Sequence, residues 1–457
     1  MTTTDEAAAT DAAGAAEGAG RVPFWWVVGA ALVVAVGVRL AYTAGSTVPS
    51  EPGFLVSYDP IYYHQQALAV ADGHGFVAPY RTDGAPSADH PPLLVLVLAA
   101  ASKLGLSSFG AHRAVTALIG AAVVPLLALL ARRLAGPRAG MITAALAAVA
   151  PVLWANDGQL MPEPLYAVLV AAALLVAHQL WDGDPLLRRA TGLGSGRWSG
   201  QIPARYGALP AAAVLGALIG LAGLARGEGL MLLGFTVGPV ALWAPALSGW
   251  RTRLAVVAVA GVATVAVLAP WLAYNDRRFE ERVLVSSSAD SAFAGANCDQ
   301  TYAGPGLGGW TSDCFARHSN QTLEESVFSS RLRADARAYV GDHQTELPKV
   351  ATARVGRLWG VFRTGQGVDL DELQNRPRPV AWAGLGTLVL LVPCAVAGAL
   401  RLRRAGRPVV LLAALPVMVT VVAAVFYGNP RFRVPADLAL VVLAAVAVDG
   451  WLRRAHR

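Results

Sequence analysis

The side chains best suited to chemistry are two acids that stand beside long apolar segments. Asp59 lies in the stretch Ser57 to Phe76, which reads SYDPIYYHQQALAVADGHGF and follows the first long apolar run. Glu163, in NDGQLMPEPLY, stands at the edge of another apolar run, where an ionisable group is costly and therefore a functional candidate. A positioned carboxylate can take the proton of an attacking hydroxyl, and two carboxylates together can hold a divalent cation. We therefore predict a catalytic role for Asp59, with Glu163 as a second carboxylate if the chain folds back to it.

Both acids also fit a purely structural role. An Asp before Pro60 is a good helix start and Gly73 suits a helix end, so Asp59 would then only cap a helix over 60–72. Glu163 suits the first turn of a helix, because acidic residues there interact favourably with the helix dipole. For Asp59 the two roles are compatible, since a capping carboxylate has the fixed position that a general base needs.

Three arginines and a histidine are candidates for binding substrate. Arg226, Arg431 and Arg433 stand in short connections that face the same side as the two acids, and a guanidinium binds phosphate through a planar fork of donors. Contact with lipid headgroups is the alternative for these arginines. His90 precedes two prolines at the start of a short apolar segment, and it either binds substrate or metal or has a structural role.

The composition is that of a protein that crosses a membrane many times. Of its 457 residues 55% are hydrophobic and only 15% are charged, whereas soluble proteins have roughly 25% charged residues. The net charge of +7 comes from arginine clusters between apolar runs. The sequence shows no basic stretch with interleaved aromatic residues, which would indicate a nucleic-acid partner. We predict an all-α polytopic membrane protein of about ten transmembrane helices plus in-plane helices. The apolar runs lie near 24–43, 111–131, 139–154, 163–180, 208–225, 229–247, 253–273, 380–400, 408–427 and 434–452.

The arginine distribution predicts the orientation of these spans. With the N-terminus inside, the arginine clusters fall in the inside connections, and the short outside connections hold only Arg226, Arg431 and Arg433. The apolar segment 91–103 is too short to span, so we place it in the membrane surface. Two large outside regions follow, 44–110 and 274–379.

The chain is expected to divide into four parts. Residues 1–23 form a disordered cytoplasmic tail, because they carry almost nothing large and apolar. Residues 24–273 form the transmembrane core, which includes the first outer catalytic loop 44–110. Residues 274–379 form an extracytoplasmic region, and residues 380–457 form the C-terminal transmembrane helices and a basic cytoplasmic tail.

Two of the three cysteines share the outer region 274–379. Cys298 and Cys314 are sixteen positions apart on the oxidising side of the membrane, so we expect a disulfide that contributes about 3 kcal/mol. Two free thiols are the alternative. The stretch 304–309, GPGLGG, is rich in turn formers, and neither a strand before it nor a helix after it supports a phosphate-binding loop. Residues 322–345 favour a surface helix.

Several short motifs resemble one family. Asp59, Tyr62 and Tyr63, followed by Ala67 to Phe76, resemble the first outer loop of membrane glycosyltransferases with the GT-C fold, in the branch of protein O-mannosyltransferases and lipid A aminoarabinose transferases. The resemblance spans residues 24 to about 450, because further motifs follow in matching order: His90-Pro91-Pro92-Leu93, Pro162-Glu163, Arg226-Gly227-Glu228, Pro270-Trp271-x-x-x-Asn275 and Arg431-Phe432-Arg433-x-x-Pro435.

The resemblance implies a reaction and a place for it. It implies a polyprenyl-phosphate-linked sugar donor, inversion at the anomeric carbon, an active site at the outer face of the plasma membrane and a hydroxyl-bearing glycan, lipid or protein acceptor. The loop carboxylate acts as base in this family, and that role carries over to Asp59. Tyr62, Tyr63 and His90 are then expected to bind substrate. The family often has two adjacent acids, whereas Pro60 follows Asp59 here, so a paired role either comes from Glu163 or is absent. A divalent metal is therefore an open expectation.

Two other classes of protein compete with this interpretation. A lipid-linked-sugar flippase or transporter would use polar residues and broken helices at the membrane midplane, whereas the acids here stand at the outer rim. A scaffolding membrane protein would leave the stretch around Asp59 without a purpose.

Overall fold

The computed structural model describes residues 22–48, 59–79, 81–183, 204–316 and 323–455. Most of the predicted tail 1–23 lies outside these ranges. Within them the chain forms helices and loops, and the strand-like pairing consists of an isolated antiparallel bridge between Val77 and Pro86. The predicted all-α fold class is confirmed.

The α-helices of the described ranges are numbered in chain order. They are α1 Phe24–Gly45, α2 Asp59–Ala71, α3 Pro92–Lys103, α4 Phe109–Ala121, α5 Val123–Ala135, α6 Pro137–Val149, α7 Pro151–Trp154, α8 Glu163–Asp182, α9 Ala204–Ala225, α10 Gly238–Trp243, α11 Trp250–Asp276, α12 Ser288–Gly295, α13 Asp299–Tyr302, α14 Asp313–Ala316, α15 Glu325–Asp342, α16 Leu347–Leu358, α17 Thr364–Leu373, α18 Arg378–Arg404, α19 Val410–Val425 and α20 Val434–Ala455. Short 3₁₀ turns occupy Asp157–Gln159, Gly227–Met231, Gln344–Glu346 and Pro430–Arg433, and a π-helical turn occupies Leu233–Val237.

Several of these segments are long and apolar enough to cross a membrane, so the chain is a multi-pass membrane protein. In the described part of the chain there are seven: Phe24–Gly45, Phe109–Ala135, Glu163–Asp182, Gly207–Ala225, Trp250–Asp276, Arg378–Arg404 and Pro430–Ala455. The predicted span 139–154 corresponds to Pro137–Val149 and Pro151–Gln159, which are bent by 65° to each other. The predicted spans 229–247 and 408–427 correspond to the shorter helical segments Gly227–Trp243 and Val410–Val425. The number of ten crossings therefore stays a prediction.

The last helix, α20, is the most enclosed of the long apolar segments. In its apolar part 89% of the residues are buried, compared with 28% in the apolar parts of α11 and of α18. Small residues allow the close approach of its neighbours: a Cβ on Gly398 of α18 would lie 1.9 Å from the carbonyl oxygen of Leu443. Because the turn Pro430–Arg433 leads directly into α20, this burial fixes the backbone of the arginines that precede the helix.

Helices α2 and α3 pack together over the end of α11. Tyr63 of α2 and Leu98 of α3 share one hydrophobic cluster with Trp271 of α11. Helix α2 matches the predicted helix 60–72, and Gly73 after it has a φ of +88°, which glycine adopts at little cost. Helix α3 has 12 residues and matches the predicted short segment 91–103.

The outer region 274–379 is built from short helices that are tied to the rest of the chain. Cys298 and Cys314 form a disulfide, with an S–S distance of 2.13 Å. The glycine-rich turn packs against the segment that precedes Arg431, because the carbonyl oxygen of Gly308 accepts a hydrogen bond from the amide of Gly428 at 3.0 Å. Helix α15 lies within the predicted helix 322–345.

Candidate active site

Asp59 is the first residue of α2, and its side chain remains 29% exposed. Its Oδ2 accepts a hydrogen bond from Nη1 of Arg431 at 3.3 Å, and its Oδ1 lies 3.6 Å from Nε2 of His90. Arg431 and His90, which are far apart in the sequence, thus hold this carboxylate in place. The carboxylate nevertheless keeps access to the exterior, which a base for an incoming hydroxyl requires.

Glu163 lies beside Asp59 and joins two of the predicted phosphate-binding arginines. Its side chain is 1% exposed, and its Oε1 accepts hydrogen bonds from Nε of Arg431 at 2.7 Å and from Nη1 of Arg226. Arg226 also donates from Nε to Oε1 of Glu228 at 2.5 Å. Carboxylates and guanidinium groups therefore alternate from Asp59 through Arg431, Glu163 and Arg226 to Glu228. This series is called the ion-pair chain below.

Two local features position the arginines of the ion-pair chain. The side chain of Asn429 caps the turn before α20, because its Oδ1 accepts a hydrogen bond from the amide of Arg431 at 2.9 Å. Arg226 follows the last residue of α9, and its guanidinium lies 5.4 Å from the centre of the Phe432 ring. Phe432 and Arg431 are adjacent in sequence, so a single turn supports both arginines.

Arg433 does not join the ion-pair chain. It is 6% exposed, its Nε donates to Oδ1 of Asp437 at 2.8 Å, and its Nη1 donates to the carbonyl oxygen of Leu358 at 3.1 Å. It lines a separate pocket together with Asn156 and Arg376. The expected role of Arg433 in binding the donor phosphate therefore stays a prediction, and these contacts do not support it.

His90 is held by the two tyrosines that were expected to bind substrate. The Tyr63 ring stacks on the imidazole with a centroid distance of 5.0 Å, and the Tyr62 ring meets it edge-on at 4.7 Å. The Tyr62 hydroxyl lies 3.0 Å from Oγ of Ser87. Tyr62 and Tyr63 are 3% and 1% exposed, so their contacts position His90, and their direct binding of substrate stays a prediction.

Asp89 is a neighbour of the site that sequence reasoning missed. Its Oδ2 lies 3.7 Å from Nε2 of His90, and its side chain is 45% exposed. His90 therefore stands between the carboxylates of Asp59 and Asp89. The available signal was its position in the sequence, directly before His90 and the two prolines.

The charges around His90 shift the pKa values of this loop. Burial alone would raise the pKa of Asp59, but the charge of the nearby His90 and the charge and hydrogen bond of Arg431 bring this pKa well below its ordinary value. Burial alone would lower the pKa of His90, but the charges of Asp89 and Asp59 raise it above the ordinary value. The carboxylate of Asp59 and the protonated form of the His90 imidazole therefore stabilise each other.

The outer region contacts the same loop through Glu325, the first residue of α15. Its Oε1 accepts hydrogen bonds from the amide of Ala88 at 2.8 Å and from Oγ of Ser287 at 2.9 Å. Burial and the nearby charge of Asp89 raise the pKa of Glu325 to about 7. The loop that carries His90 is thus connected to α15 as well as to α2.

The arrangement does not fit a divalent metal between the two predicted catalytic acids. The guanidinium of Arg431 bridges the carboxylates of Asp59 and Glu163, at the place where a shared cation would have to bind. Across the residues that the structure describes, there is also no group of three or more His, Cys, Asp or Glu side chains arranged to hold a metal ion.

Comparison with known proteins identifies the fold. The sequence model of the family described as dolichyl-phosphate-mannose-protein mannosyltransferase matches residues 89–195, which is less than half of the chain and does not include Asp59, Arg226 or Arg431. No curated protein matches the sequence. The archaeal oligosaccharyltransferase AglB from Archaeoglobus fulgidus, solved in complex with an inhibitory peptide and a dolichol-phosphate, superposes with a TM-score of 0.55 at 16% identity, over 95% of this chain and 51% of that chain.

Two further solved structures are similar. The Archaeoglobus fulgidus oligosaccharyltransferase tethered with an acceptor peptide superposes with a TM-score of 0.54 at 17% identity, over 95% of this chain and 50% of that chain. ArnT from Cupriavidus metallidurans bound to undecaprenyl phosphate is more distant, with a TM-score of 0.44 at 16% identity, over 93% of this chain and 77% of that chain. This chain spans about half the length of the solved oligosaccharyltransferase. The chain has the GT-C fold, and the resemblance read from its motifs is confirmed at that level.

Proposed function

With the GT-C fold as the premise, we propose that this chain is an inverting glycosyltransferase that moves a sugar from a polyprenyl-phosphate donor to a hydroxyl acceptor. The proposed place is the extracytoplasmic face of the plasma membrane, in the synthesis of a cell-envelope glycan, glycolipid or glycoprotein. The observation that carries the proposal is the ion-pair chain, because it places one partly exposed carboxylate beside two guanidinium groups at the ends of apolar helices.

Asp59 is the proposed base. The acceptor hydroxyl attacks the anomeric carbon from the face opposite the phosphate, and its proton passes to a carboxylate oxygen of Asp59. Proton transfer to a positioned side chain contributes roughly 10²–10⁴-fold to a rate. The contacts with Arg431 and His90 fix the orientation of this carboxylate before any substrate binds.

Arg226 and Arg431 are proposed to stabilise the leaving phosphate. When the bond between the anomeric carbon and the phosphate oxygen breaks, the electron pair stays on the phosphate, which gains one negative charge. A preorganised cation at this position favours the transition state over the ground state. Of the two arginines, Arg226 has the more available donor, since no described residue accepts a hydrogen bond from its Nη2.

The two proposed roles are coupled through Arg431. In the resting arrangement Arg431 donates to both Asp59 and Glu163. As Asp59 takes up the proton it loses its negative charge, and the attraction that holds Nη1 of Arg431 disappears. The same guanidinium is then free to interact with the charge that develops on the phosphate. The negative charge lost at Asp59 equals the negative charge gained at the phosphate, so the net charge of the site with its substrates does not change during the reaction.

Glu163 is proposed to act as an anchor and not as a second base. It is almost fully buried, and its Oε1 already accepts hydrogen bonds from both arginines. A carboxylate in that position holds two like charges near each other, which would otherwise repel in a site of low dielectric constant.

The experiment uses the full-length protein in liposomes with a radiolabelled polyprenyl-phosphate sugar. We expect the wild-type protein to release the sugar from the lipid, and Asp59→Asn to reduce this release by roughly 10²–10⁴-fold with unchanged expression. Cysteine labelling of position 59 should place it on the extracytoplasmic side. Full transfer by Asp59→Asn would refute the base, and movement of intact lipid-linked sugar across the membrane without its release would favour a flippase instead.

A further inference from the structure

A solvent-open cleft lies in the outer region, apart from the ion-pair chain. It is lined by Trp310 and by polar side chains that include Asp299, Gln300, Thr311, Gln366 and Arg357. Nothing in the proposed transfer chemistry uses these residues. The cleft has the composition of a small-molecule or glycan site, in which an aromatic surface is combined with a few hydrogen-bonding groups.

Trp310 presents an indole that is fixed in position and 42% exposed. Its ring packs directly against Gly295 at the end of α12, where an added Cβ would lie 2.2 Å from Nε1. Its Nε1 donates a hydrogen bond to the carbonyl oxygen of Ser291 at 3.2 Å, and the Phe315 ring meets it edge-on at 6.0 Å. Gly295 therefore makes room for the buried side of the indole, and the remaining surface faces the cleft.

The backbone around the cleft is also held in place. The disulfide of Cys298 and Cys314 closes the loop that carries Trp310, and the amide of Thr311 donates to the carbonyl oxygen of Gly295 at 3.0 Å. Arg357, which also lines the cleft, donates to the carbonyl oxygens of Leu307 at 2.7 Å and of Pro305 at 2.8 Å. A rigid site of this kind loses little conformational entropy when it binds a ligand.

An aromatic series leads from Trp310 towards the ion-pair chain. The Tyr427 ring lies 6.3 Å from the Trp310 ring, the Phe432 ring lies 4.9 Å from Tyr427, and the guanidinium of Arg226 lies 5.4 Å from Phe432. Successive ring contacts therefore connect the Trp310 wall of the cleft with Arg226 of the ion-pair chain.

We propose that this cleft binds the carbohydrate chain of a glycan acceptor, with one sugar ring on the exposed face of Trp310 and the reacting end directed along Tyr427 towards Asp59. The proposal rests on the proposed function and adds the class of acceptor. A sugar ring offers a face of C–H groups to an aromatic ring and hydroxyls at its edge. Here the amide of Gln366, the carboxylate of Asp299 and the amide of Gln300 supply partners for those hydroxyls.

The polar lining argues against the other roles of an exposed tryptophan. An indole that anchors a protein in the membrane interface has lipid around it, whereas Trp310 shares its cleft with the carboxylate of Asp299 and the amides of Gln300 and Gln366, which are costly to bury against lipid. A peptide segment would use the main-chain groups of a sheet edge or an apolar groove, and the described part of this cleft has neither.

The experiment titrates oligosaccharides of two to six residues, from the mannan, arabinan and glucan series, into the full-length protein in nanodiscs and measures binding by calorimetry. We expect one series to bind, with Trp310→Ala weakening it by about threefold to tenfold and Trp310→Phe retaining most of the affinity. The matched control is Trp382→Ala, since Trp382 on α18 is 48% exposed and lies outside the cleft. That variant should bind like the wild-type protein.

The transfer assay then separates this proposal from the proposed function. With the oligosaccharide that binds, Trp310→Ala should raise the acceptor KM while the release of sugar to water, which needs no glycan, stays unchanged. The acceptor proposal is overturned if no series binds, if Trp310→Ala binds like the wild-type protein, or if a Ser/Thr peptide binds in a manner that depends on Trp310. In each of those outcomes an Asp59-dependent release of sugar would still support the proposed function.

Discussion

Replacing the buried anchor of the two arginines gives the most informative perturbation of the site. Glu163→Gln removes a charge that is 1% exposed and leaves Arg226 and Arg431 facing each other without the carboxylate between them. Breaking a buried ion pair from one side costs about 3–5 kcal/mol, because the remaining charge is left uncompensated. Arg226 keeps Glu228 at 2.5 Å and Arg431 keeps Asp59 at 3.3 Å, so we expect the lower end of that range, about 3 kcal/mol.

The same substitution should affect transfer more than stability. Without Glu163 the guanidinium of Arg431 has only Asp59 as an anionic partner among its described contacts, and it would move towards that carboxylate. A displacement of about 1 Å at a reaction centre can cost roughly 10²-fold in rate. We therefore expect kcat/KM for sugar transfer to fall by roughly 10²-fold, together with a thermal midpoint in detergent that is lower by several degrees.

Glu228→Gln is the matched control for this prediction. Glu228 also pairs with Arg226, but it is 17% exposed and does not contact Arg431 in the described structure. Its replacement should lower both the rate and the thermal midpoint much less. If Glu163→Gln retained the wild-type kcat/KM and midpoint, or if both variants lost the same amount, the anchoring role of Glu163 would be wrong.

Arg431→Lys should lower kcat by roughly 10²–10³-fold, because a lysine lacks the planar guanidinium that bridges two carboxylates. Arg433→Lys should leave the rate of transfer nearly unchanged, because Arg433 pairs with Asp437 instead. Equal losses of kcat in the two variants would contradict the different roles of these arginines. The pKa of His90 is raised in the folded protein, so its stabilising contribution is present below its ordinary value of 6.5 and is lost as the pH rises through the raised value. As the pH rises above 6.5, the thermal midpoint of the wild-type protein should therefore fall more than that of His90→Gln. If the two midpoints changed with pH in parallel, protonated His90 would make no stabilising contribution. Replacing Cys298 and Cys314 by Ser should lower the free energy of unfolding by about 3 kcal/mol, and a reductant should affect the thermal midpoint of the wild-type protein only.

The local structure around Asp59 could be predicted because it is encoded by neighbouring residues. Asp-Pro starts a helix and the later glycines end it, and α2 follows this pattern closely. The pairing of Cys298 with Cys314 was likewise expected from two cysteines on one side of the membrane. In the first case the residues that decide the structure are close together in the sequence. In the second case each cysteine has only one possible partner on its side of the membrane.

The separation of Arg431 from Arg433 could not be predicted, since both have the same residue type two positions apart. The 3₁₀ turn before α20 directs Arg431 to Glu163, while Arg433 begins to follow the helix and reaches Asp437 one turn later. Which of them meets the acids depends on how α20 is packed among distant helices. No feature of the local sequence determines that packing.

The bend in the third apolar run and the neighbour of His90 were missed for different reasons. Apolar length alone predicted one span over 139–154, but Pro151 interrupts it and the two halves diverge by 65°. Asp89 was overlooked because it lies at the end of a polar loop, where an acid is usually solvated. Its importance comes from the position of the imidazole of His90, which the stacking of Tyr63 determines.

A structure of the full-length protein with a polyprenyl-phosphate sugar bound would test the account most directly. We expect the phosphate within hydrogen-bonding distance of Arg226 or Arg431, and the anomeric carbon facing outward with the Asp59 carboxylate on the side opposite the phosphate. A phosphate bound instead in the separate pocket beside Arg433, with Asp59 still paired to Arg431 and out of reach of the sugar, would contradict it.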